Sequence, residues 1–152
     1  APGTVLLAPA LPGDMALLDI DGPGLYLQST AFVAATTGVD VRTEIGGFRT
    51  FFGGEGIFVL RTEGRGRVLV GAYGALEKVP VDGELVVDTG HLVAWDPGLT
   101  FSIGKAAHGW IASFLSGEGL VCRFRGQGSV WIQTRNPSEF GSELGRLLPP
   151  RG

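Results

Sequence analysis

The chain has little cysteine, histidine and charge, and each shortage removes a class of protein from consideration. A single cysteine among 152 residues, Cys122, excludes an intrachain disulfide framework. With two histidines and no Cys-x-x-Cys pair, a structural zinc site of the usual spacing is excluded as well. We therefore expect a cytoplasmic protein, in a reducing compartment, that carries no metal or other cofactor.

Long hydrophobic runs and clusters of basic residues are also missing. No run approaches the ~20 apolar residues that cross a bilayer, and the opening stretch APGTVLLAPALPGD lacks the basic start of a signal peptide. The 12 Lys and Arg are scattered singly or in pairs, and the formal net charge is −3. We therefore expect a soluble protein with no membrane span and no nucleic-acid partner.

Apolar residues and glycine are plentiful instead. The chain is 44% hydrophobic and 18% charged, and it contains 26 glycines. A soluble monomer usually has about a quarter of its residues charged. The deficit indicates that part of the surface is buried against other subunits, so we expect the chain to associate with itself as a homo-oligomer.

Three segments of the chain resemble one another, which indicates internal repeats. They cover residues 12–28, 51–70 and 114–132, and the first is the weakest copy. Each opens with glycine followed by an acid and carries a Gly-x-Gly several residues later. The opening residues are Gly13 and Asp14 in the first copy, Gly54, Glu55 and Gly56 in the second, and Gly117, Glu118 and Gly119 in the third. Residues 29–41 also align with residues 89–101.

The repeats have the composition of β-structure. Short runs of β-branched and aromatic residues flank each Gly-x-Gly, and glycine supplies the positive φ that a tight turn needs. We therefore predict hairpins that turn at each Gly-x-Gly, with a further hairpin at Asp82-Gly83. Consecutive apolar residues, as in 92–95, predict strands buried on both faces. Residues 1–152 are expected to form a single all-β domain, a sandwich or barrel of repeated hairpins.

Only the C-terminal stretch NPSEFGSELGRLLPP predicts a helix. Asn136 is a good N-cap, and proline suits the first helical position that follows it. A short helix over residues 137–147 should place Phe140, Leu144 and Leu147 on one side, facing the sheet or a neighbouring subunit.

The Gly-Gly-Glu-Gly stretch at 53–56 could hold a ligand or form a joint of the fold. A phosphate cradle would require a following helix with Gly-x-Gly-x-x-Gly or Lys-Ser/Thr, and neither is present. An element that recurs within one chain is better explained as a structural joint. We expect Glu55 and Glu118 to accept hydrogen bonds from backbone N–H groups exposed by the glycine turns.

Three segments carry a resemblance to a known family: FFGGEGIFVLR, VVDTGHLVAWD and SGEGLVCRFRGQGSVWIQTRNP. They resemble the signature segments of the altered inheritance of mitochondria protein 24 family, and the likeness runs across nearly the whole chain. It implies a fold like that of the tryptophan RNA-binding attenuation protein, a β-sandwich that assembles into closed rings, with trimers in bacterial members. No catalytic residues are implied, and likeness to an RNA-binding ring concerns fold rather than function.

Few residues qualify as reactive or ligand-binding groups. Asp88 and His91, with Asp96, could form a proton-transfer or metal site, but the HxH and HExxH spacings are absent and a structural histidine is favoured. Cys122 lies in an apolar strand, which predicts a small buried side chain rather than a nucleophile. Asp88, His91 and Trp95 are the candidate ligand-binding residues.

Three functional hypotheses follow. The apolar excess and the repeats favour a non-enzymatic, self-assembling scaffold or interaction module, expected to be a trimer. The alternative is a small-molecule binding module with its site between repeats or subunits. An enzyme would require a histidine or glutamate with a perturbed pKa in a cleft.

Overall fold

A computed structural model of the chain describes residues 3–44, 58–105 and 120–149, and it is built from β-strands. The strands are β1 Met15–Gly22, β2 Tyr26–Gln28, β3 Phe32–Ala35, β4 Val39–Thr43, β5 Val59–Gly71, β6 Leu76–Asp88, β7 Leu92–Trp95, β8 Thr100–Lys105 and β9 Leu120–Gln133. The 3-10 turns Ser29–Ala31 and Thr89–His91 precede β3 and β7, and helix α1, Pro137–Leu147, follows β9. The predicted all-β fold with a short C-terminal helix is confirmed.

Strand β5 organises the first half of the chain. On one side it pairs antiparallel with β1 and then β2, from Met15 opposite Gly71 to Tyr26 opposite Arg61. On the other side it pairs antiparallel with β3 and β4. Because β5 has 13 residues, it is long enough to carry two shorter strands along each edge.

Strand β9 organises the second half in the same manner. It pairs with β6 along one edge, and with β7 and β8 along the other, again antiparallel throughout. The two halves are joined where β2 pairs with β7, with Tyr26 opposite Trp95 and Leu27 opposite Ala94. All nine strands of the described residues therefore belong to one sheet.

Buried side chains form two clusters on this sheet. One contains Leu27, Val68, Val70 and Val93 among others, and the second contains Trp95, Phe124 and Val130 among others. All four residues of β7 are buried, in agreement with the prediction that 92–95 is covered on both faces. Burial of such side chains contributes about 1.5–3 kcal/mol each, so these clusters supply most of the driving force for folding.

The glycine pairs do not form the predicted turns. Gly64 and Gly126 lie inside β5 and β9, where both have positive φ, 112° and 122°. Gly64 is opposite Gly22, and Gly126 is opposite Gly83. The predicted hairpin at Asp82-Gly83 was wrong for the same reason, because β6 continues through it. Glycine at these positions permits a long strand to bend without leaving the sheet.

Helix α1 begins and ends at the predicted residues. The side chain of its N-cap, Asn136, accepts a hydrogen bond from the Ser138 N–H at 2.9 Å. None of the helix residues is buried. Its contact with the sheet is an edge-to-face packing of Phe140 on Tyr73, with ring centroids 5.5 Å apart. On the apolar side of the helix, Phe140 and Leu144 remain 44% and 43% exposed, and Leu147 is 81% exposed.

Strand β6 contains a proline, Pro80, and the direction of its backbone nitrogen follows from the hydrogen bonds of the residue opposite it in β9. Ser129 donates its N–H to Asp96 Oδ2 at 2.6 Å and accepts from the Asp96 N–H at 3.0 Å, so its backbone groups point away from β6. Pro80 lies opposite Ser129 and therefore directs its nitrogen to the outer edge. Proline there removes a donor that another strand could use.

Candidate functional site

Asp88 and His91 bracket the 3-10 turn that carries the chain from β6 to β7. Asp88 precedes the turn, and its Oδ1 accepts a hydrogen bond from the Gly90 N–H at 2.7 Å. A carboxylate at this position satisfies a backbone donor that the turn leaves free. Asp88 therefore stabilises the turn.

His91 is held through one ring nitrogen. Its Nδ1 lies 2.7 Å from the carbonyl oxygen of Gln133. Since a carbonyl only accepts, Nδ1 carries the hydrogen and donates it, which leaves Nε2 as the basic nitrogen of the neutral ring. The ring is thereby fixed in one tautomer at the end of β9.

Gln133 is the buried centre of this polar cluster, with 7% of its surface exposed. Its Oε1 accepts from the Tyr73 N–H at 2.9 Å, and its Nε2 donates to the Gly90 carbonyl at 2.8 Å. The side chain thus ties the β5–β6 connection to the turn before β7. No sequence motif indicated this role.

Trp95 does not join Asp88 and His91 at a surface. Its side chain is fully buried, stacked on Tyr26 at 5.5 Å between centroids and packed edge-on against Phe101 at 4.9 Å. Its Nε1 has no hydrogen-bond partner among the described residues. The structure therefore brings Asp88 and His91 together at one turn and places Trp95 in the core. Ligand binding by the three residues stays a prediction.

An open groove of about 430 Å³ lies between the turn of His91 and helix α1. Aromatic contacts form part of its wall, because Arg135 lies over the Tyr73 ring at 5.6 Å and Phe140 packs on the edge of the same ring. The lining residues are Tyr73, His91, Thr134, Arg135, Asn136, Glu139, Phe140 and Glu143. The groove offers cationic, anionic and aromatic contacts together, a combination suited to a small polar molecule with an apolar part.

Asp14 shows how an acid after glycine acts in this fold. Gly13 forms a bridge with Gly74, and Asp14 Oδ2 accepts from the Leu76 N–H at 3.1 Å. The carboxylate therefore holds the start of β6. The other opening motifs, Gly54-Glu55-Gly56 and Gly117-Glu118-Gly119, lie outside the described residues, so the roles of Glu55 and Glu118 stay predictions.

Cys122 is fully buried in β9. Burial, followed by the nearby charge of Asp88, raises the pKa of the thiol from 9.0 to about 12. The thiolate is the reactive form of cysteine, so this side chain is protected from chemical modification in the folded state.

The raised pKa of Cys122 predicts how the thiol responds to reagent and to alkali. At pH 8 the native chain should not react with a thiol reagent, whereas the chain in denaturant should react fully. The pKa of the Cys122 thiol is higher in the folded chain than in the unfolded chain, so burial of the protonated thiol stabilises the fold fully below about pH 9. This stabilisation is lost as the pH rises toward 12. Stoichiometric labelling of the native chain at pH 8 would contradict this burial.

Metal-binding clusters and membrane-crossing helices are both absent from the described residues. Within 3–44, 58–105 and 120–149, no group of three or more His, Cys, Asp or Glu is placed to hold a metal ion. Over the same residues, no helix has the length and apolar character needed to cross a membrane.

Comparison with known proteins places the chain in a family. The family model described as mitochondrial biogenesis AIM24 matches residues 1–135. The chain belongs to the AIM24 family. Among its relatives is "Uncharacterized protein M6_Spy0233" of Streptococcus pyogenes serotype M6, 35% identical over 97% of this chain.

A solved structure from the same species also matches this AIM24 member. Protein SPYM3_0169 of Streptococcus pyogenes superposes with a TM-score of 0.78 at 32% identity, over 93% of this chain. The chain spans 60% of the length of the first relative and 63% of the second. These likenesses establish family and fold.

Proposed function

We propose that this AIM24 chain is a non-enzymatic, self-assembling β-domain that acts as a scaffold or interaction module, as a ring of three copies in the cytoplasm. The observation that carries the proposal is the amount of large apolar side chain left exposed in a single copy. Leu6 is 95% exposed and Leu147 is 81% exposed. Within 3–44, 58–105 and 120–149, the exposed large apolar side chains are Val5, Leu6, Leu7, Met15, Leu17, Phe58, Val86, Phe140, Leu144, Leu147 and Leu148.

Seven of these eleven side chains fall in two groups, one near the N-terminus and one at helix α1. Val5, Leu6 and Leu7 are consecutive, and Phe140, Leu144 and Leu147 follow the spacing of one helix side. Single exposed apolar residues are ordinary on protein surfaces, but contiguous groups mark interaction sites. Covering them with other copies would turn an unfavourable surface into an interface with an apolar core.

The candidate reactive groups have structural partners, which supports a non-enzymatic role. Asp88 holds its turn, His91 donates to Gln133, and Cys122 has a raised pKa inside the sheet. Exposed arginines also face carboxylates, as in Arg65 with Asp21 at 3.1 Å and Arg61 with Glu63 at 2.9 Å. Six arginines of the described residues pair with carboxylates in this way, which reduces the positive charge that they offer a polyanion.

Light scattering during gel filtration tests the assembly. At micromolar concentration we expect a mass of three times the 15.9 kDa of one chain, since the exposed apolar groups favour association. The mass should persist in 1 M salt, because apolar burial is not screened by ions. A soluble species with the mass of a single chain would refute the proposal.

The second candidate is small-molecule binding in the groove beside α1, supported by the clustering of His91, Tyr73 and Arg135. A compound that raises the melting temperature of the wild-type chain should act through these side chains. Such a compound would favour this alternative if its effect disappeared in Arg135→Ala and persisted in Arg125→Ala, which alters an exposed arginine outside the groove.

A further inference from the structure

The two halves of the chain share one pairing pattern, residue by residue. In the first half Phe32, Ala34 and Ala35 lie opposite Val70, Leu69 and Val68, with an irregularity after Phe32. In the second half Leu92, Ala94 and Trp95 lie opposite Ile132, Trp131 and Val130, with the same irregularity. Strand β3 is therefore the counterpart of β7.

The C-terminal end of β6 is likewise the counterpart of β2. Tyr26 and Leu27 lie opposite Arg61 and Leu60 of β5. Val86 and Val87 lie opposite Arg123 and Cys122 of β9. Each of the two segments runs directly into a 3-10 turn, Ser29–Ala31 in one half and Thr89–His91 in the other.

Within the chain, one half joins the other through β2 and β7. The equivalent joint would pair the end of β6 with β3, with Val86 opposite Ala35 and Val87 opposite Ala34. Among the described residues, β3 pairs with β5 and the end of β6 pairs with β9, and neither has a strand on its other side. One of two equivalent joints is thus made, and the other is left open.

Two side chains at the β2–β7 joint, Tyr26 and Trp95, are more buried than their counterparts on β6 and β3. Trp95 is fully buried in the joint that is made, whereas its counterpart Ala35 is exposed. Tyr26 is half-buried, while its counterpart Val86 is 46% exposed; Leu27 and its counterpart Val87 are both buried. An exposed valine on an unpaired strand edge is a ready template for another strand.

The backbone directions also fit. Residues two apart in a strand direct their backbone N–H and C=O groups to the same side. Val86 is six residues beyond Pro80, so its backbone groups also point to the outer edge of β6. On β3, Thr36 donates its N–H back to Arg67 of β5 at 3.0 Å, so the preceding Ala35 points away from β5. Among the described residues, the backbone groups of Val86 and Ala35 thus have no strand partner.

We propose that the end of β6 in one copy pairs antiparallel with β3 of the next copy, with Val86 opposite Ala35 and Val87 opposite Ala34. This rests on the proposed self-assembly and names its interface. Each copy carries one edge of each kind among its described strands, so the contacts run head to tail, and a rotation that closes after three copies gives the proposed ring. The inter-chain joint then repeats the β2–β7 joint, and the sheet continues from copy to copy.

Disulfide cross-linking tests the register. Val87 and Ala34 would form the non-hydrogen-bonded pair, whose Cα atoms lie about 4.5 Å apart, within reach of a disulfide. The Ala34→Cys/Val87→Cys double variant should form chain-to-chain cross-links under mild oxidation in more than half of the molecules. This double variant and its control also carry Cys122→Ala, because Cys122 lies directly opposite Val87 and could otherwise pair with the new cysteine within the chain. The matched control is Ala34→Cys/Val79→Cys, which moves the second cysteine along β6 and should cross-link at least tenfold less.

A charged side chain at the joint gives an independent test. Val86→Glu places a carboxylate at an exposed position of the single copy but inside the proposed interface. The variant should keep its β-sheet circular dichroism and shift to the mass of one chain. Thr43→Glu, which changes an exposed polar residue of β4 outside the set of exposed apolar side chains, should retain the mass of the wild type.

The results distinguish failure of the proposed β6–β3 interface from failure of self-assembly as a whole. A wild-type oligomer in which the Ala34/Val87 pair fails to cross-link and Val86→Glu leaves the mass unchanged would overturn the β6–β3 joint and leave self-assembly standing. A wild-type chain that runs as a monomer would overturn both. Cross-linking confined to the matched pair, with dissociation by Val86→Glu, would establish the joint.

Discussion

Replacing Gly64 by alanine is expected to lower the free energy of unfolding by about 3–5 kcal/mol, the sum of backbone strain and overpacking. Gly64 has φ of 112°, a region that side chains with a Cβ rarely adopt. An added Cβ would also overlap the carbonyl oxygen of Gly38. That oxygen is held in place by the Arg65 N–H at 3.0 Å, so the clash cannot be relieved by rotating a side chain.

Two matched variants separate the two parts of this cost. Gly83→Ala introduces backbone strain alone, because Gly83 has φ of 105° and no atom lies within 4 Å of the added Cβ. It should lower the free energy of unfolding by about 1–2 kcal/mol. Gly98→Ala has neither strain nor a close neighbour and should change stability by less than about 0.5 kcal/mol. Urea unfolding of the three variants provides the comparison. Equal effects at Gly64 and Gly98 would contradict the described backbone.

Gln133→Leu is expected to destabilise the chain by about 2–5 kcal/mol, since two buried backbone groups lose their partners. The Tyr73 N–H and the Gly90 carbonyl both bond to this side chain, and leucine of similar size can replace neither contact. The turn that carries His91 should loosen at the same time. Hydrogen exchange at Tyr73 should accelerate more than exchange at the centre of β5.

Gln127→Leu is the control in the same strand. Gln127 is exposed, and its amide donates to Asp82 Oδ1 at 3.2 Å on the surface. Loss of such a contact usually costs less than about 0.5 kcal/mol. If Gln127→Leu proved as damaging as Gln133→Leu, burial would not be the source of the effect.

Local signals in the sequence were sufficient for α1 and for the strand at 92–95. The helix bounds depend on Asn136 and Pro137, whose effects act within one turn. The burial of Leu92 to Trp95 on both faces follows from four consecutive apolar residues, the pattern of a central strand.

The glycines of the long strands misled the prediction because their role depends on strands distant in sequence. A positive φ at Gly64 is compatible with a turn or with a bend inside a strand, and the local sequence is the same for both. The choice is made by Gly22 opposite and by Gly38 close beside it. Such pairings lie beyond any window of local sequence.

The groove could not be predicted for a related reason. Tyr73, His91 and Arg135 come from three separate segments and meet only through the pairing of β6 with β9. Asp88 and His91 lie at one turn, whereas Trp95, which was grouped with them by proximity in sequence, lies in the core. Gln133, which joins the segments, looks like an ordinary polar residue at the end of a strand.

Pro80 sets a limit on what β6 can accept. A strand of 13 residues with an unpaired edge could recruit almost any extended chain, including a misfolded one. An intruder that ran along the whole edge would find no donor at Pro80 and would meet its ring instead. The four residues of β3 can sit beside Val86 and Val87 without reaching that point. Proline at this position therefore disfavours pairing with a long strand, the kind from which fibrils grow, and leaves the end of β6 available to a short one.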